Sequence, residues 1–529
     1  MALQLTLLVA YFALLVGIGL YCRRHSTDVN GFVLGGRSVG PWLTAFAYGT
    51  SYFSAVVFVG YAGQFGWKYG VSATWAGLGN AVIGSLMAWA VLGRRTRIMT
   101  QHLDSATMPD FFAKRFGSPA LRLGAALIIF VFLIPYTASL YNGLSRLFSM
   151  AFPGIDYVWC IVLMAVLTAV YVIAGGYMAT AINDFIQGLV MLFGISAVIV
   201  AILRSQGGLL GALDSLARIP GPEIVAGRGP APGVFTSFLG PDPLNLLFVV
   251  VLTSLGTWGL PQMVQKFYAI KDEGSITKGT VISTLFAVVV AGGCYFLGGF
   301  GRLFSAHLDV GPGGVPAGGF DAIVPTMLEK GDLSAALMAL VVILVLSASM
   351  STLSSLVITS SSTLTIDFLK GAVWKDMDER RQVRWIRILL VVFIAISAAL
   401  ATVQAKSRVT FIAQMMGISW GALAGSFLAP FLYALYSKRV TAASVWASFA
   451  FAVGLTVANM FWMPVVPVIG KVTPIHTGAL AMVAGLVIVP VVSLVTRKPD
   501  RGLVESAFAC YDKTTVVRQA TALGAAEGK

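Results

Sequence analysis

Charge is scarce in this chain. Only 11% of its 529 residues are Asp, Glu, Lys or Arg, against 57% hydrophobic residues. That leaves too little polar surface to cover a water-soluble body of this length, and the chain reads as a polytopic membrane protein. Acidic residues are the scarcer sign, 22 against 36 basic ones, for a net charge of +14. In a membrane protein such an excess sets topology, because Lys and Arg are retained on the cytoplasmic side, so it argues for a lipid bilayer as partner and against nucleic acid. The four cysteines (Cys22, Cys160, Cys294 and Cys510) have no pair spacing, which excludes a disulfide framework or a thiolate metal site. The four histidines (His25, His102, His307 and His476) fall at the ends of apolar runs or in loops and read as interfacial residues, not ligands. No nucleophile–base pair, phosphate loop or metal-ligand cluster stands between the runs, so nothing points to an enzyme.

What the chain has in abundance is apolar runs of about 20 residues, about thirteen of them, separated by charged or Gly/Pro-rich breaks. The expected spans are 3–22, 41–66, 71–93, 123–149, 157–173, 180–203, 243–265, 279–302, 334–369, 386–404, 410–436, 441–462 and 476–496. The first lacks a basic leader and a cleavage site and is followed by Arg23 and Arg24, which predicts an uncleaved anchor with its N-terminus outside. An odd number of spans then puts the C-terminus in the cytoplasm. Arg94, Arg95, Arg97, Lys114 and Arg115 after the third span, and Lys375, Arg380, Arg381 and Arg384 after the ninth, agree with that orientation in a cell inner (plasma) membrane. One transmembrane unit over 1–496 is expected, with a weakly patterned tail at 497–529 too small for a catalytic domain.

Two spans look interrupted. Gly49-Thr50-Ser51-Tyr52-Phe53-Ser54 breaks the second, and Gly256-Thr257-Trp258-Gly259-Leu260-Pro261 breaks the seventh. With the first helix set aside, these are the first and sixth of ten core helices. Matching breaks five helices apart point to a five-plus-five inverted repeat, 41–203 and 243–436, flanked by extra helices at 3–22 and 441–496, with a site at the bilayer midplane. Packing glycines with a proline kink are the plainer alternative.

Polarity inside the spans is concentrated in one place. From Ser347 to Thr365, twelve of nineteen residues carry hydroxyls. Ala348, Ser351, Thr352 and Ser355 share one helix face at i, i+3, i+4 and i+7. Hydrocarbon offers such groups no partner, so they either back-bond to their own helix or face protein, water or an ion. Asp184 lies inside the 180–203 span, where a carboxylate is a functional candidate by default; capping of that helix at the interface is the alternative. A carboxylate, hydroxyls and freed carbonyls are all oxygen donors, a set that suits Na⁺ better than zinc or copper.

On these residues the chain resembles the sodium/solute symporters. The resemblance runs through Phe32-Val33-Leu34-Gly35-Gly36-Arg37-Ser38, Gly175-Gly176-Tyr177-Met178-Ala179 and Asn183-Asp184-Phe185-Ile186-Gln187. It is most specific at Met350-Ser351-Thr352-Leu353-Ser354-Ser355 leading to Asp367-Phe368-Leu369-Lys370, which is similar to the version in the family's proline carriers. Tyr177 departs from the Leu, Met or Phe usual there. The resemblance implies a main sodium site made by the carbonyls of Thr50, Phe53 and Ala348 with the hydroxyls of Ser351 and Thr352. It implies a second sodium at Asp184 with Ser351, Ser354 and Ser355. A small organic solute would be lined by Ser51, Tyr52, Ser54, Val57, Tyr136, Thr137, Thr257 and Trp258, with Gln414 and Trp420 further out. Tyr136 matches the proline carriers, whereas Val56 and Thr257 do not, and Val57 stands where sugar carriers have a glutamine. A half-helix N-terminus facing the pocket favours a carboxylate, so a monocarboxylate or amino acid is expected, carried by sodium-coupled symport in a protein that functions as a monomer. Proton coupling through Asp184, or a solute sensor built on a transporter scaffold, are the alternatives.

Overall fold

The computed structural model describes residues 2–23, 27–151, 154, 156–221, 232–311, 314–316, 318–407, 412–467 and 469–511. His25 and the last part of the expected tail, 512–529, lie outside the described residues.

Helix α1 (Ala2–Cys22) carries no charge, as an anchor through hydrocarbon requires. Asp28 caps the short α2 (Val29–Leu34), accepting a bond from the Gly31 amide at 3.3 Å. The chain then turns through Gly35 and Gly36, both at positive φ. That turn aims the Arg37 guanidinium at the carbonyls of Ser105 (2.7 Å) and Tyr268 (3.4 Å), tying three segments together at one end of the bundle.

The first broken span comprises α3 (Pro41–Tyr52) and α4 (56–69). After Gly70, at φ +65°, the chain turns back as α5 (74–102). This helix runs a further two turns beyond the expected end at residue 93, because its charges find partners. Arg97 donates to the Ile270 carbonyl at 2.6 Å, and Arg95 stacks on Tyr436 and Tyr511. Next come α6 (Met108–Phe116), α7 (Pro119–Ala151) and α8 (Tyr157–Ser205).

At 49 residues α8 would span about 74 Å if straight, more than twice a hydrocarbon core. Instead it reverses at Gly176, whose φ 56°, ψ −150° only glycine adopts readily and whose Cβ would lie 3.0 Å from the Phe32 carbonyl oxygen. The Gly-Gly motif is therefore the corner between two crossings.

The second half repeats the pattern. After α9 (Gly208–Ala217), the second broken span is α10 (Pro243–Gly259) and α11 (Pro261–Ala269), bent by 44°. It is followed by α12 (Glu273–Gly298), α13 (Ile323–Lys330), α14 (Ala335–Val373), α15 (Glu379–Ser407) and α16 (Ile412–Tyr436). Helices α17 (Ala442–Phe461) and α18 (Pro474–Val495) are joined by a two-residue hairpin of β1 (Val465–Val466) and β2 (Gly470–Lys471). Among the described residues nine helices are long and apolar enough to cross a membrane, ten with the bent pair counted as one. The expected thirteen is not reached by that measure, since α5 is merged with α4, both arms of α8 count once, and α1 counts only over Thr6–Cys22, too short to be scored as a span.

The connections and the tail are partly helical. The connection 204–242 contains α9 and 303–333 contains α13. The tail forms α19 (Arg501–Phe508), with Phe508 under the Arg115 guanidinium and the Tyr511 hydroxyl bonded to the Arg95 carbonyl. Asp367, from the family-like motif at the end of α14, is fully buried and accepts bonds from Arg122 (2.8 Å) and Thr107 (2.6 Å), while Arg122 also pairs with Asp110 at 3.3 Å. This network pins the 107–122 segment to α14.

Asp321, on the turn before α13 and outside the spans, is buried; one carboxylate oxygen accepts from the Ile412 amide at 3.4 Å and the other accepts no hydrogen bond. Burial pushes its carboxyl up to about 6, with the Ile412 amide and Arg146 opposing. The folded value lies above the unfolded one, so folding takes up a proton between about pH 4 and 6. Stability falls as pH rises through that window and is level above it. Asp321→Asn is expected to flatten this slope and to gain roughly 2–3 kcal/mol at pH 7, measurable by thermal unfolding across pH 4–8.

Candidate functional site

The site begins with a shortage of hydrogen-bond donors. Helix α3 ends at Phe53, which is extended (φ −86°, ψ 117°), and Ser54 restarts the chain as a cap, its hydroxyl accepting from the Val56 amide at 3.2 Å. The carbonyls in the last turn of α3 therefore lose their helical partners. Helix α14 crosses at this point. Thr352 Oγ1 lies 3.1 Å from the carbonyl oxygens of Thr50 and Ala348 and 3.4 Å from that of Phe53; Ser351 Oγ lies 3.1 Å from Thr50 and 3.0 Å from Ala348. All five residues are buried.

Three carbonyls thus share two hydroxyl protons, and each proton serves one acceptor at a time. A buried acceptor left unmet costs about 1–3 kcal/mol. A monovalent cation among the five oxygens satisfies all of them at once, and neutral oxygens suit a hard ion. These five residues were expected together, and they are together.

The remaining hydroxyls of α14 divide by function. Ser354, Ser361, Ser362 and Thr365 each donate to a carbonyl three or four residues back, the ordinary habit of a serine in an apolar helix. Others reach across: Ser347 to the Tyr11 hydroxyl, Thr359 to Gln265, and Ser355 to the Ser51 hydroxyl at 2.9 Å. Both readings of the stripe hold, for different residues.

Asp184 is fully buried, two turns into the second arm of α8, so it is no interfacial cap. Neither of its oxygens accepts a hydrogen bond among the described residues. The cation nearest to it went unrecognised in the sequence: Lys266, on α11, lies 3.9 Å from Asp184 Oδ2, donates to Ser355 Oγ at 3.0 Å, and stands 5.0 Å from the centre of the Tyr177 ring. Lys266 is itself only 2% exposed. It stands one residue beyond the expected end of the 243–265 span, and ending the span at the first charge hid it. The half-helix after Pro261 carries it inward.

The expected solute lining is buried but unevenly committed. Thr257 and Trp258 donate to the Gly84 and Ile83 carbonyls of α5, and Thr137 donates to Leu133. Ser51 faces Ser355, Val57 is buried beside Cys294, and Gln414 is half-buried. By contrast the Tyr52 hydroxyl is buried without a partner among the described residues, and the Tyr136 hydroxyl and the Trp420 indole nitrogen meet only each other there. Tyr136 meets Trp420 edge to face at 6.0 Å, and Trp420 packs on Gly256 at the second break, where a Cβ would lie 2.3 Å from its ring. Tyr61 and Tyr295, also buried with unpartnered hydroxyls, were not anticipated; nothing in their sequence setting separates them from packing aromatics.

A family model described as the sodium:solute symporter family matches residues 32–450. The chain belongs to that family. The sodium/proline symporters of Staphylococcus aureus strains JH9 and JH1 are each 28% identical to this symporter over 502 residues, covering 93% of both chains. A solved structure of a Na⁺-coupled sialic acid symporter, described as substrate-bound and outward-open, superposes with a TM-score of 0.73 at 16% identity, over 94% of this chain and 99% of that one. At that identity the likeness shows the fold: the inverted-repeat core with broken helices. Sodium is the coupling ion of this symporter, which carries it with an organic solute as a multi-pass membrane protein.

Proposed function

We propose that the protein takes up a small monocarboxylate or amino acid by alternating access, driven by sodium held at a site of Thr50, Phe53, Ala348, Ser351 and Thr352. The observation that carries this reading is the donor-poor cluster where α3 breaks against α14. An ion there ties the first broken helix to the hydroxyl-rich one and favours the orientation that accepts solute, so the sodium gradient becomes a population shift. Coupling requires that ion and solute both be held more tightly in one orientation than the other.

Solute is proposed to lie between the two breaks, against Tyr52, Ser54 and Val57 on one side, Tyr136 and Thr137 on α7, Thr257, Trp258 and Trp420 on the other, with Gln414 towards one end. The buried polar atoms of Tyr52, Tyr136 and Trp420 supply donors a carboxylate could take up, and the N-terminus of α4 adds a positive dipole end. The relatives named for proline and the structural neighbour named for sialic acid both take solutes that bear a carboxylate. The repeats are assigned to 41–203 and 243–436, with the N-terminus outside, the C-terminus in the cytoplasm of a cell whose plasma membrane it occupies, and a monomer sufficing.

The test is a thermal-shift screen of amino acids, small monocarboxylates and sugars on the purified protein in sodium and in choline. By linkage, a transported solute stabilises the protein more in sodium. A carboxylate-bearing hit with sodium-enhanced stabilisation is expected. Hits confined to neutral sugars would overturn the solute class, and equal shifts in choline would overturn the ion.

A further inference from the structure

The resemblance implies a second sodium at Asp184, Ser351, Ser354 and Ser355, yet the structure brings a cation of the protein's own to that place. We infer that the ammonium of Lys266 stands in for a second sodium, so that the symporter binds one sodium per transport cycle. The inference rests on the proposed first sodium site, and adds to it the number of ions.

Three observations and one electrostatic argument support it. Lys266 Nζ already holds Ser355 Oγ at 3.0 Å, the oxygen a second ion would need. Ser354 Oγ, another of the expected ligands, is turned to the Ser351 carbonyl at 2.9 Å. Asp184 and Lys266 are both buried, at 0% and 2% exposure, with the lysine nitrogen 3.9 Å from the carboxylate, so the carboxylate already has a basic partner of the protein's own. A sodium entering there would meet the ammonium as well as the carboxylate. At an effective dielectric near 20, two like charges about 4 Å apart weaken binding on the order of a thousandfold.

The lysine has nowhere else to go. Its neighbour Gln265 is fixed at both ends of its amide, donating to the Val33 carbonyl at 3.0 Å and accepting from Thr359 at 2.8 Å, which fixes the rotation of α11 about its axis next to Lys266. The Tyr177 ring lies over the ammonium. This position is where the sequence departs from the residue usual after the glycine pair, and an aromatic face is what a tethered ammonium can use.

The two ties then differ in kind. Sodium at the first site joins the first broken helix to α14 only while the ion is bound. Lys266 joins the second broken helix to α14 and α8 at all times. One joint is controlled by the gradient and the other is permanent.

The experiment counts ions on the purified protein, by ²²Na⁺ equilibrium binding and by the limiting slope of Tm against the logarithm of sodium concentration, with choline holding ionic strength. The wild type is expected to bind one sodium with a Hill coefficient of about 1. Lys266→Met keeps the stem and removes the charge; it is expected to bind about two ions and to double the limiting slope. Lys266→Arg is expected to stay at one, and Lys266→Met with Ser355→Ala to return to one. A wild type that binds two ions, or a folded Lys266→Met that binds one, overturns the inference and leaves the first site standing. A wild type that binds none overturns the first site as well. Because the wild-type count is itself decisive, the inference remains exposed even where Lys266→Met fails to fold.

Discussion

Thr352→Ala raises the sodium concentration for half-maximal uptake by roughly 10- to 100-fold, the effect of losing one hydrogen-bond-strength contact to a charge, about 1.5–3 kcal/mol. Thr352 Oγ1 lies closest to the middle of the cluster, within 3.4 Å of all three carbonyls, so no other single side chain contributes as much. Ser351→Ala acts in the same direction. Solute affinity at saturating sodium should change far less than sodium affinity, which separates loss of an ion ligand from general damage. Ser362→Ala is the internal control, since its hydroxyl only back-bonds to Thr359, and a change within about 0.5 kcal/mol is expected there. Uptake into proteoliposomes over a sodium titration checks all three variants.

Gly66→Val is expected to abolish recovery of folded protein. A Cβ at Gly66 would lie 2.0 Å from both the carbonyl carbon and oxygen of Gly298, and one at Gly298 would lie 2.2 Å from the Ala62 carbonyl oxygen. Here α4 and α12 touch backbone to backbone, an approach only small residues allow in a membrane. The clash is with main chain on both sides, so no side-chain rotation relieves it, and overpacking costs of about 1–3 kcal/mol are a lower bound. Gly292, where a Cβ meets nothing within 4 Å, is the matched control as Gly292→Ala. The readout is the monodisperse fraction after detergent extraction, with Tm for whatever survives.

How far the sequence reaches depends on which physical signal is strong. Hydropathy is strong, and it marked the helices and both breaks, because a bilayer tolerates neither scattered charge nor unmet carbonyls. It failed where a charge is kept inside. Lys266 ended a predicted span although its partner Asp184 lies 82 positions earlier in the chain, and no local pattern links the two. The same cause made α5 look short, since Arg95 and Arg97 read as a terminus until Tyr436 and the Ile270 carbonyl are seen beside them.

The sodium ligands were legible for a different reason. Residue type and spacing showed a hydroxyl face at Ala348, Ser351, Thr352 and Ser355 and a break near Thr50, and the resemblance to the sodium/solute symporters supplied the proposed ligand set. Solute contacts carry no such rule. Thr257 and Trp258 look like pocket residues in sequence yet donate to α5 carbonyls, while Tyr61 and Tyr295 look like packing yet hold unpartnered hydroxyls. An aromatic hydroxyl costs little to leave ambiguous until its neighbours are known.

The central claim is that a sodium gradient acting at the junction of α3 and α14 drives uptake. Its most direct test is accumulation of the solute found by thermal shift in proteoliposomes given an inward sodium gradient at matched pH, and separately an inward proton gradient in choline. Accumulation above equilibrium only with sodium, lost in Thr352→Ala at the same sodium concentration, is the predicted result. Accumulation driven by the proton gradient without sodium, or an unchanged sodium response in Thr352→Ala, would contradict the account.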